Sequence, residues 1–272
     1  MRSKKPEVTS HYGSYYRDFA AEVYAEIRRV EFGEDLGQNN WQTPAELEGF
    51  ASQLALGPDS LLLDVACGAG GPGLHLARVS GCSVTGVDRE GEGLANARRL
   101  ARESGVGARA RFVQADASLP LPFPDGSFDA ILCLDALNHL PGRAGVFADW
   151  ARLLVPCGRL LVTDPVTITG LVASQELATR SSIGYFDFAP PGEDERLLGA
   201  AGLKVTSVED LTETVATVAR RRCTARAERA PMLRQLEGNE GFERRQRFLD
   251  TVATLARERR VSRFAFVAEK PR

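Results

Sequence analysis

Four aspartates and one glycine-rich turn are the residues of this chain best suited to chemistry. Each aspartate ends or follows a short apolar run that predicts a β-strand, and the four are Asp64, Asp88, Asp116 and Asp135. The turn comes after the first of them and reads Gly68-Ala69-Gly70-Gly71-Pro72-Gly73. Glycine lets the backbone approach a ligand without a side-chain clash, and the helix that follows offers free N–H groups and partial positive charge at its N-terminus. This combination predicts a nucleotide-type ligand.

Two classes of nucleotide cofactor fit the turn. It matches the dinucleotide pattern G-x-G-x-x-G, and Asp88 follows Gly68 by about 20 residues, as in NAD-dependent oxidoreductases. Asp64, however, lies four residues before Gly68, where a carboxylate would repel the pyrophosphate of a dinucleotide and attract the ammonium and sulfonium of S-adenosylmethionine. The charge argument therefore favours S-adenosylmethionine, with the oxidoreductase kept as the alternative.

The four aspartates suit different parts of such a ligand. A carboxylate at Asp88 accepts hydrogen bonds from both ribose hydroxyls in either cofactor class, and its structural alternative is a helix N-cap. Asp116 suits the exocyclic amine of adenine, or else forms an Asx-turn. Asp64 either contacts the amino group of the cofactor or holds the glycine turn by accepting backbone N–H bonds.

From about residue 58 to 165 the chain resembles the class I S-adenosylmethionine-dependent methyltransferases, in particular the small-molecule branch with the sarcosine/dimethylglycine and ubiquinone-type enzymes. The resemblance rests on the glycine turn and on the strand-plus-acid segments 81–88, 111–117 and 122–135. It implies S-adenosylmethionine as cofactor and S-adenosylhomocysteine as product. One departure is Ala66, where many members carry glycine. The predicted cofactor-binding residues are Asp64, Ala66, Gly68, Gly70, Asp88, Arg89, Asp116, Ala117, Leu134 and Gln38.

The segment after the fourth strand is where this family places residues that face the methyl group. His139 is the predicted general base because its ordinary pKa lies near working pH, and Asp135 is the second predicted catalytic residue. The alternative for His139 is a structural histidine, since positioning alone can carry much of a methyl transfer. Asp135 and Asp164 could chelate Mg²⁺, but Pro165 supplies no ligand and no third ligand is evident, so no metal is predicted.

The residues that contact the substrate are predicted on both sides of the nucleotide-binding segment. Aromatic side chains crowd the N-terminal region and could form a lid, or else simply pack a helix. Other positions follow the fifth strand, where this fold usually carries substrate contacts. The predicted substrate-binding residues are Tyr16, Trp41, Ser181, Tyr185 and Phe186.

The elements that must position these residues alternate between strand and helix. Strands are predicted near 61–66, 83–87, 110–114, 128–134, 158–163, 203–209 and 262–268. Helices are predicted between the first five of them, near 72–79, 91–104 and 142–153. This alternation specifies an α/β, doubly wound sheet that binds ligands at the carboxyl ends of its strands. The resemblance implies a seven-stranded, mostly parallel, Rossmann-like methyltransferase fold.

Two helical regions flank the predicted sheet. Residues 1–57 predict a helical lid or substrate segment, with one helix over 15–29 and a second that starts with Thr43 as N-cap and Pro44 at the first helical position. Residues 58–272 predict the S-adenosylmethionine-binding domain, in which a helical hairpin is inserted at about 211–260. These two regions together could roof the strand ends and shape a substrate pocket.

Composition limits the partners. The chain has 272 residues, a net charge of −2 and a pI near 6.0, so it lacks the basic footprint of a nucleic-acid-binding protein. It has no apolar run of membrane-spanning length, and its five cysteines form no C-x-x-C pair, which predicts a cytoplasmic protein. Composition leaves the choice between monomer and homodimer open. The predicted function is methyl transfer to an O, N or C nucleophile of a small molecule, such as an amine or a secondary metabolite. The alternatives are the NAD-dependent oxidoreductase and a non-catalytic cofactor-binding scaffold.

Overall fold

Seven strands form one mixed sheet in the computed structural model, which describes residues 11–272. The strand order is β3-β2-β1-β4-β5-β7-β6, with β1 to β5 parallel and β7 antiparallel to both of its neighbours. Residues 1–10 of the predicted N-terminal segment lie outside the described residues. The strands are β1 (Leu61–Val65), β2 (Ser83–Asp88), β3 (Ala110–Gln114), β4 (Phe128–Leu134), β5 (Leu154–Ile168), β6 (Lys204–Asp210) and β7 (Val261–Glu269).

Helices cover both faces of the sheet. Successive residues of a strand point to opposite faces, so Leu63 packs in the core cluster that holds Trp150, while Leu62 packs in the cluster that holds Phe50. The predicted fold class is therefore confirmed, including the helices before the sheet and before the last strand. The helices are α1 (His11–Asp18), α2 (Glu22–Phe32), α3 (Pro44–Gln53), α4 (Gly71–Ser80), α5 (Gly91–Glu103), α6 (Arg143–Leu153), α7 (Ser174–Arg180), α8 (Glu193–Ala200), α9 (Thr212–Glu228) and α10 (Ala230–Arg257).

The N-terminal helix differs from the prediction of a single helix over 15–29. It breaks after Asp18, and α2 begins at Glu22 after Ala21 in an extended conformation. The guanidinium of Arg28 lies 4.2 Å from the ring centroid of Phe19, and its nitrogens donate to the Phe19 carbonyl at 3.4 and 3.5 Å. The spacing of apolar residues does not show this contact between residues nine positions apart. The predicted cap of α3 is present, since Thr43 Oγ1 accepts from the Glu46 N–H at 3.2 Å.

The helical hairpin before the last strand packs against the N-terminal helices. Helices α9 and α10 are separated only by Arg229, and α9 lies against α2. Arg222 of α9 pairs with buried Glu31 of α2, and Arg226 donates to both carboxylate oxygens of Glu237 at 2.9 and 2.6 Å. Tyr24 of α2 donates to the same Glu237 at 2.7 Å. The division at residue 57 and the covering of the strand ends stay predictions. These contacts join the two helical regions into one packed layer, here called the roof.

No helix among residues 11–272 combines the length and apolar character that a bilayer crossing requires.

Replacement of Arg226 by alanine should lower the free energy of unfolding by about 3–5 kcal/mol, because it leaves the Glu237 carboxylate without its buried cation. The Arg226 and Glu237 side chains are only 2% and 13% exposed. Urea denaturation of Arg226→Ala measures the loss. The control is Arg220→Ala on the same helix, whose pair with Asp250 is 48% and 61% exposed and should matter little. Equal losses in the two variants would contradict a buried pair that holds the roof.

Candidate functional site

The glycine turn after β1 is tight and covered from two sides. Ala66, Gly68 and Gly70 have φ values of 55°, 55° and 79°, in the left-handed region. A side chain at Gly68 would collide with the hydroxyl of Tyr16, and one at Gly71 would collide with the Leu36 carbonyl. The turn therefore brings α1 and the loop at residues 33–43 against the start of α4. Tyr16, predicted to contact the substrate, lies over the glycine turn among the predicted cofactor residues.

Asp88 holds the glycine turn in place. One carboxylate oxygen accepts from the Gly68 N–H and the other accepts from the Glu90 N–H, both at 2.8 Å. Burial raises the pKa of Asp88, and these two backbone donors oppose that rise. The neighbouring Arg89 is exposed and donates to Glu90 at 3.1 Å. A carboxylate has about four lone-pair positions, so Asp88 keeps capacity for further donors such as ribose hydroxyls.

Asp64 is a buried acid beside the same turn. Its side chain lies next to Gly73, whose backbone N–H donates to it, and the residue is 4% exposed. Burial first, and the negative charge of Asp88 second, raise its pKa to about 8. A cation placed beside Asp64 would restore the ionised form, because an opposite charge offsets desolvation. This acid is therefore suited to a positively charged ligand group.

Asp116 lies on the surface after β3. Its Oδ1 atom accepts from the Ser118 N–H at 2.9 Å and from the Ser118 hydroxyl at 2.7 Å, which makes an Asx-turn. This local geometry matches the structural alternative and leaves the adenine contact a prediction. The adjacent Ala117 and the strand-end Leu134 are buried, at 7% and 6% exposed.

Asp135 is a junction between distant parts of the chain. It follows β4 with a φ of 54°, and its side chain is 2% exposed. Its Oδ1 accepts from Thr163 Oγ1 and from Arg263 Nε, both at 2.8 Å, and its Oδ2 accepts from the Trp41 N–H at 2.9 Å. These contacts are those of a positioning group, and a direct catalytic role for Asp135 stays a prediction. Sequence reasoning missed Arg263, which showed only as one residue of a predicted strand.

His139 is a neutral imidazole with one defined donor nitrogen. Its Nδ1 lies 2.8 Å from the Tyr185 carbonyl oxygen. Because a carbonyl only accepts, Nδ1 carries the proton and Nε2 keeps a lone pair, 3.2 Å from the amide nitrogen of Asn138. Burial, reinforced by the positive charge of Arg180, lowers the pKa of His139 to about 4. The Phe186 ring packs edge-on against the imidazole at 4.7 Å between centroids.

The other predicted substrate residues lie in two places. Trp41 is buried under the guanidinium of Arg222 at 4.7 Å, and its backbone reaches Asp135. Tyr185 is 48% exposed beside His139. Ser181 is half-buried, and its hydroxyl donates to the Leu177 carbonyl at 2.8 Å. The structure thus brings Tyr185 and Phe186 to His139 and brings Trp41 to Asp135.

Several polar side-chain atoms around these residues are buried without a protein partner. Gln38 Oε1 accepts from the Leu36 N–H at 2.9 Å, but its Nε2 has no partner among the described residues. The same holds for both amide atoms of Gln42, which is 0% exposed, and for Oδ1 of Asn138. Buried polar groups in folded proteins are satisfied by protein, water or ligand. These atoms therefore fit a polar ligand or bound water near the loop at 33–43 and the turn at Leu137–His139.

The acids considered for Mg²⁺ pair with arginines instead. Asp164 is fully buried and lies 2.6 Å from a guanidinium nitrogen of Arg143, as Asp135 lies against Arg263. The part of the chain that the structure describes contains no group of three or more His, Cys, Asp or Glu side chains that could hold a metal ion.

Comparison with known proteins gives consistent matches. Residues 63–162 match a family model described as a methyltransferase domain. The chain is 30% identical over 204 residues to 27-O-demethylrifamycin SV methyltransferase of Amycolatopsis mediterranei (strain S699). The aligned region covers 71% of this chain and 75% of that relative. It is also 30% identical to Methyltransferase GfsG of Streptomyces halstedii, over 69% of this chain and 72% of the relative. The fold is similar to that of the cyclopropane synthase MmaA2 from Mycobacterium tuberculosis, with a TM-score of 0.82, 17% identity, and coverage of 98% of this chain and 100% of that one.

Replacement of Ala66 by glycine should raise the free energy of unfolding by about 0.5–1 kcal/mol. A residue with a Cβ atom pays about 1–2 kcal/mol to adopt the left-handed conformation, and glycine avoids this cost. Glycine also makes the unfolded chain more flexible, but the free energy lost in this way is smaller. Thermal unfolding of Ala66→Gly measures the gain. The control is Ala69→Gly in the same turn, which is buried without a positive φ and should lose stability. A loss in both variants would contradict strain at Ala66.

Proposed function

Because the chain belongs to the class I S-adenosylmethionine-dependent methyltransferases of small molecules, we propose that it methylates a hydroxyl group and that His139 is the base. The observation that carries this proposal is the hydrogen bond from His139 Nδ1 to the Tyr185 carbonyl. That bond leaves Nε2 as a neutral proton acceptor. A hydroxyl acceptor must lose its proton during methylation, and Nε2 of His139 could accept that proton. The printed name of the rifamycin relative, an O-methylating enzyme, supports the same acceptor type.

The residues of the glycine turn would hold the cofactor. S-adenosylmethionine supplies a methyl group on positively charged sulfur, which leaves as the neutral thioether of S-adenosylhomocysteine. We propose that Asp88 accepts from the ribose hydroxyls, that Asp64 faces the cofactor's ammonium group, and that Asp116 meets the adenine amine. Gln38 would offer its unpartnered amide nitrogen to the same ligand. The positive charge of the ligand matches the raised pKa of Asp64, because a nearby cation favours the ionised carboxylate at neutral pH.

The proton leaves the acceptor hydroxyl as the new bond to its oxygen forms. The acceptor hydroxyl would replace the Asn138 amide at Nε2 of His139, and bound S-adenosylmethionine would supply the methyl group to its oxygen. A base with a pKa of about 4 does not ionise an alcohol in advance. It takes the proton as the oxygen becomes acidic in the transition state, and the resulting imidazolium then releases that proton to solvent. The products are the methyl ether, S-adenosylhomocysteine and a proton.

The roof of α1, α2, α9 and α10 suits a bulky, mainly apolar acceptor. The helices of the roof pack through aromatic and branched side chains, and the half-buried Ile183 and Phe186 pack against the cluster that holds Trp41 and Phe248. Exclusion of water by such a roof favours methyl transfer to the acceptor over side reactions. We therefore propose a hydroxylated secondary metabolite as substrate, handled by a cytoplasmic monomer or homodimer. The five free cysteines of the chain support the cytoplasm as its compartment.

Replacement of His139 by glutamine should lower kcat by about 10²-fold or more, the usual contribution of a general base, and leave the affinity for S-adenosylhomocysteine unchanged. The ionisation of His139 should not change the wild-type rate between pH 6 and 8. The rate should fall as the pH approaches 4, where the imidazole gains a proton. Transfer of labelled methyl to a panel of hydroxylated acceptors measures both. His75→Gln, on α4, is the matched control and should keep its activity. Full turnover by His139→Gln would exclude the proposed base.

Binding of S-adenosylmethionine below pH 8 should release a proton from Asp64. The free protein holds that carboxyl largely protonated at pH 7, and the arriving cation favours its ionised form, so affinity should rise with pH up to about 8. Calorimetric titration in buffers of different ionisation enthalpy counts the proton. Asp64→Asn should remove both the buffer dependence and the rise in affinity. A buffer-independent enthalpy in the wild type would argue against a contact between Asp64 and the cofactor's cation.

The stability of the free protein should depend on the ionisation of Asp64 in the opposite direction: it should fall with rising pH, whereas the affinity for the cofactor should rise. Its folded pKa of about 8 lies above its ordinary value of 3.8, so between these values the folded state binds more protons than the unfolded state. The stability that this group contributes is therefore present at low pH and is lost as the pH rises through 8.

A further inference from the structure

We propose that Arg143 is a positioning residue that holds the imidazole of His139 in its Nδ1–H tautomer. It acts through residues 185–188, here called the strap, which lie beside the turn at Leu137–His139. The inference rests on the proposed role of His139 as base. Arg143 itself does not enter the reaction.

The strap and the histidine turn are joined by two hydrogen bonds. The Asp187 N–H donates to the Asn138 carbonyl at 2.9 Å, and His139 Nδ1 donates to the Tyr185 carbonyl at 2.8 Å. The first bond pairs backbone with backbone and sets the position of the strap. The second depends on that position, because the Tyr185 carbonyl must point at the imidazole to select its tautomer. A displacement of the strap therefore changes the protonation pattern of His139.

Arg143 holds the strap in position through Asp187. It is the first residue of α6, and its side chain is 4% exposed. One terminal nitrogen of the guanidinium donates to the Asp187 carbonyl, and Nε lies 3.4 Å from the Asp187 carboxylate. The other terminal nitrogen contacts Asp164 at 2.6 Å and Asp194 at 2.7 Å. The arginine thus connects the strap to β5 and α8.

The choice of arginine follows from this geometry. A planar guanidinium presents its donors in a fixed fork and can bind acceptors on several sides at once, whereas a lysine ammonium is a compact point charge. Asp164 and Asp194 are 0% and 2% exposed, so the fork is held in a dry environment. Two acids on one nitrogen direct the opposite nitrogen towards the strap. A lysine would keep the charge and lose this directed contact.

The selection of a tautomer matters because either nitrogen of a free neutral imidazole can carry the proton. If His139 were protonated on Nε2, it would have no lone pair at the position that accepts the proton in the proposed reaction. Arg143 therefore affects the base through the strap rather than by contact. Phe186, a strap residue, also packs against the imidazole at 4.7 Å, so the strap restrains the orientation of the ring as well.

The test is the tautomer of His139 in Arg143→Lys, read from ¹⁵N–¹H spectra of protein labelled in histidine, with the signal assigned by its loss in His139→Gln. The wild type should show a neutral ring protonated on Nδ1. Arg143→Lys should show both neutral tautomers, and its kcat should fall by about 10–100-fold, the cost of a slightly misplaced reacting group. The affinity for S-adenosylhomocysteine should stay within about twofold, since Arg143 contacts the strap and not the glycine turn.

The control is Arg196→Lys on α8, an exposed arginine that pairs with Glu193 at 2.7 Å and should leave tautomer and rate unchanged. If Arg143→Lys does not fold, Asp194→Asn weakens one support of the guanidinium and should give a smaller shift in the same direction. A folded variant that keeps only the Nδ1–H tautomer would overturn the inference. Full turnover by His139→Gln would instead defeat the proposed function, and the tautomer measurement would still report on Arg143.

Discussion

The ion pair between Asp135 and Arg263 is the contact on which the arrangement of the site depends. It joins the end of β4 to β7, and Arg263 reaches on to Glu46 of α3 at 3.2 Å. The Asp135 carboxylate also accepts hydrogen bonds from the Trp41 backbone N–H and from the Thr163 hydroxyl of β5. Both charged side chains are almost fully buried, so the loss of Arg263 would leave the Asp135 carboxylate without a cation in the interior. The loop that covers the glycine turn is therefore tied to the sheet by electrostatics as well as by packing.

The acids at the edge of the sheet fall into two groups with different partners. Asp135 and Asp164 are paired with buried arginines and act as fixed parts of the protein. Asp64 and Asp88 accept hydrogen bonds from backbone N–H groups of the glycine turn, and burial raises the pKa of both. The first group sets the framework on the β4–β5 side. The second group, on the β1–β2 side, gains from the arrival of a positive charge, which is the chemical property that separates S-adenosylmethionine from a dinucleotide.

The roof over this edge is built from two parts of the chain that are far apart in sequence. Buried or half-buried pairs connect α2 with the hairpin, namely Arg222 with Glu31 and Arg229 with Glu26. Burial raises the pKa of Glu31 to about 7, and the charge of Arg222 opposes that rise. The aromatic residues of α1 and α2 share a cluster with Ala225, Leu233 and Phe242 of the hairpin. A roof of this kind can be varied without change to the sheet, which is how one fold accommodates acceptors of different shape.

The local patterns of the sequence predicted a doubly wound sheet and favoured a cationic nucleotide, and the family resemblance added the reaction class. The glycine turn and the acids at strand ends are local patterns, and the chemistry of a cationic nucleotide follows from residues close together in the chain. The same reasoning could not find Arg263, which lies 128 residues from Asp135, or the contact of Arg143 with the strap. It also predicted one helix where the structure has a break between Asp18 and Glu22, with the Phe19 carbonyl next to the Arg28 guanidinium. Only the tertiary structure decided which acids are paired and which nitrogen of His139 carries its proton, because partners, burial and tautomer are set by groups that meet only when the chain is folded.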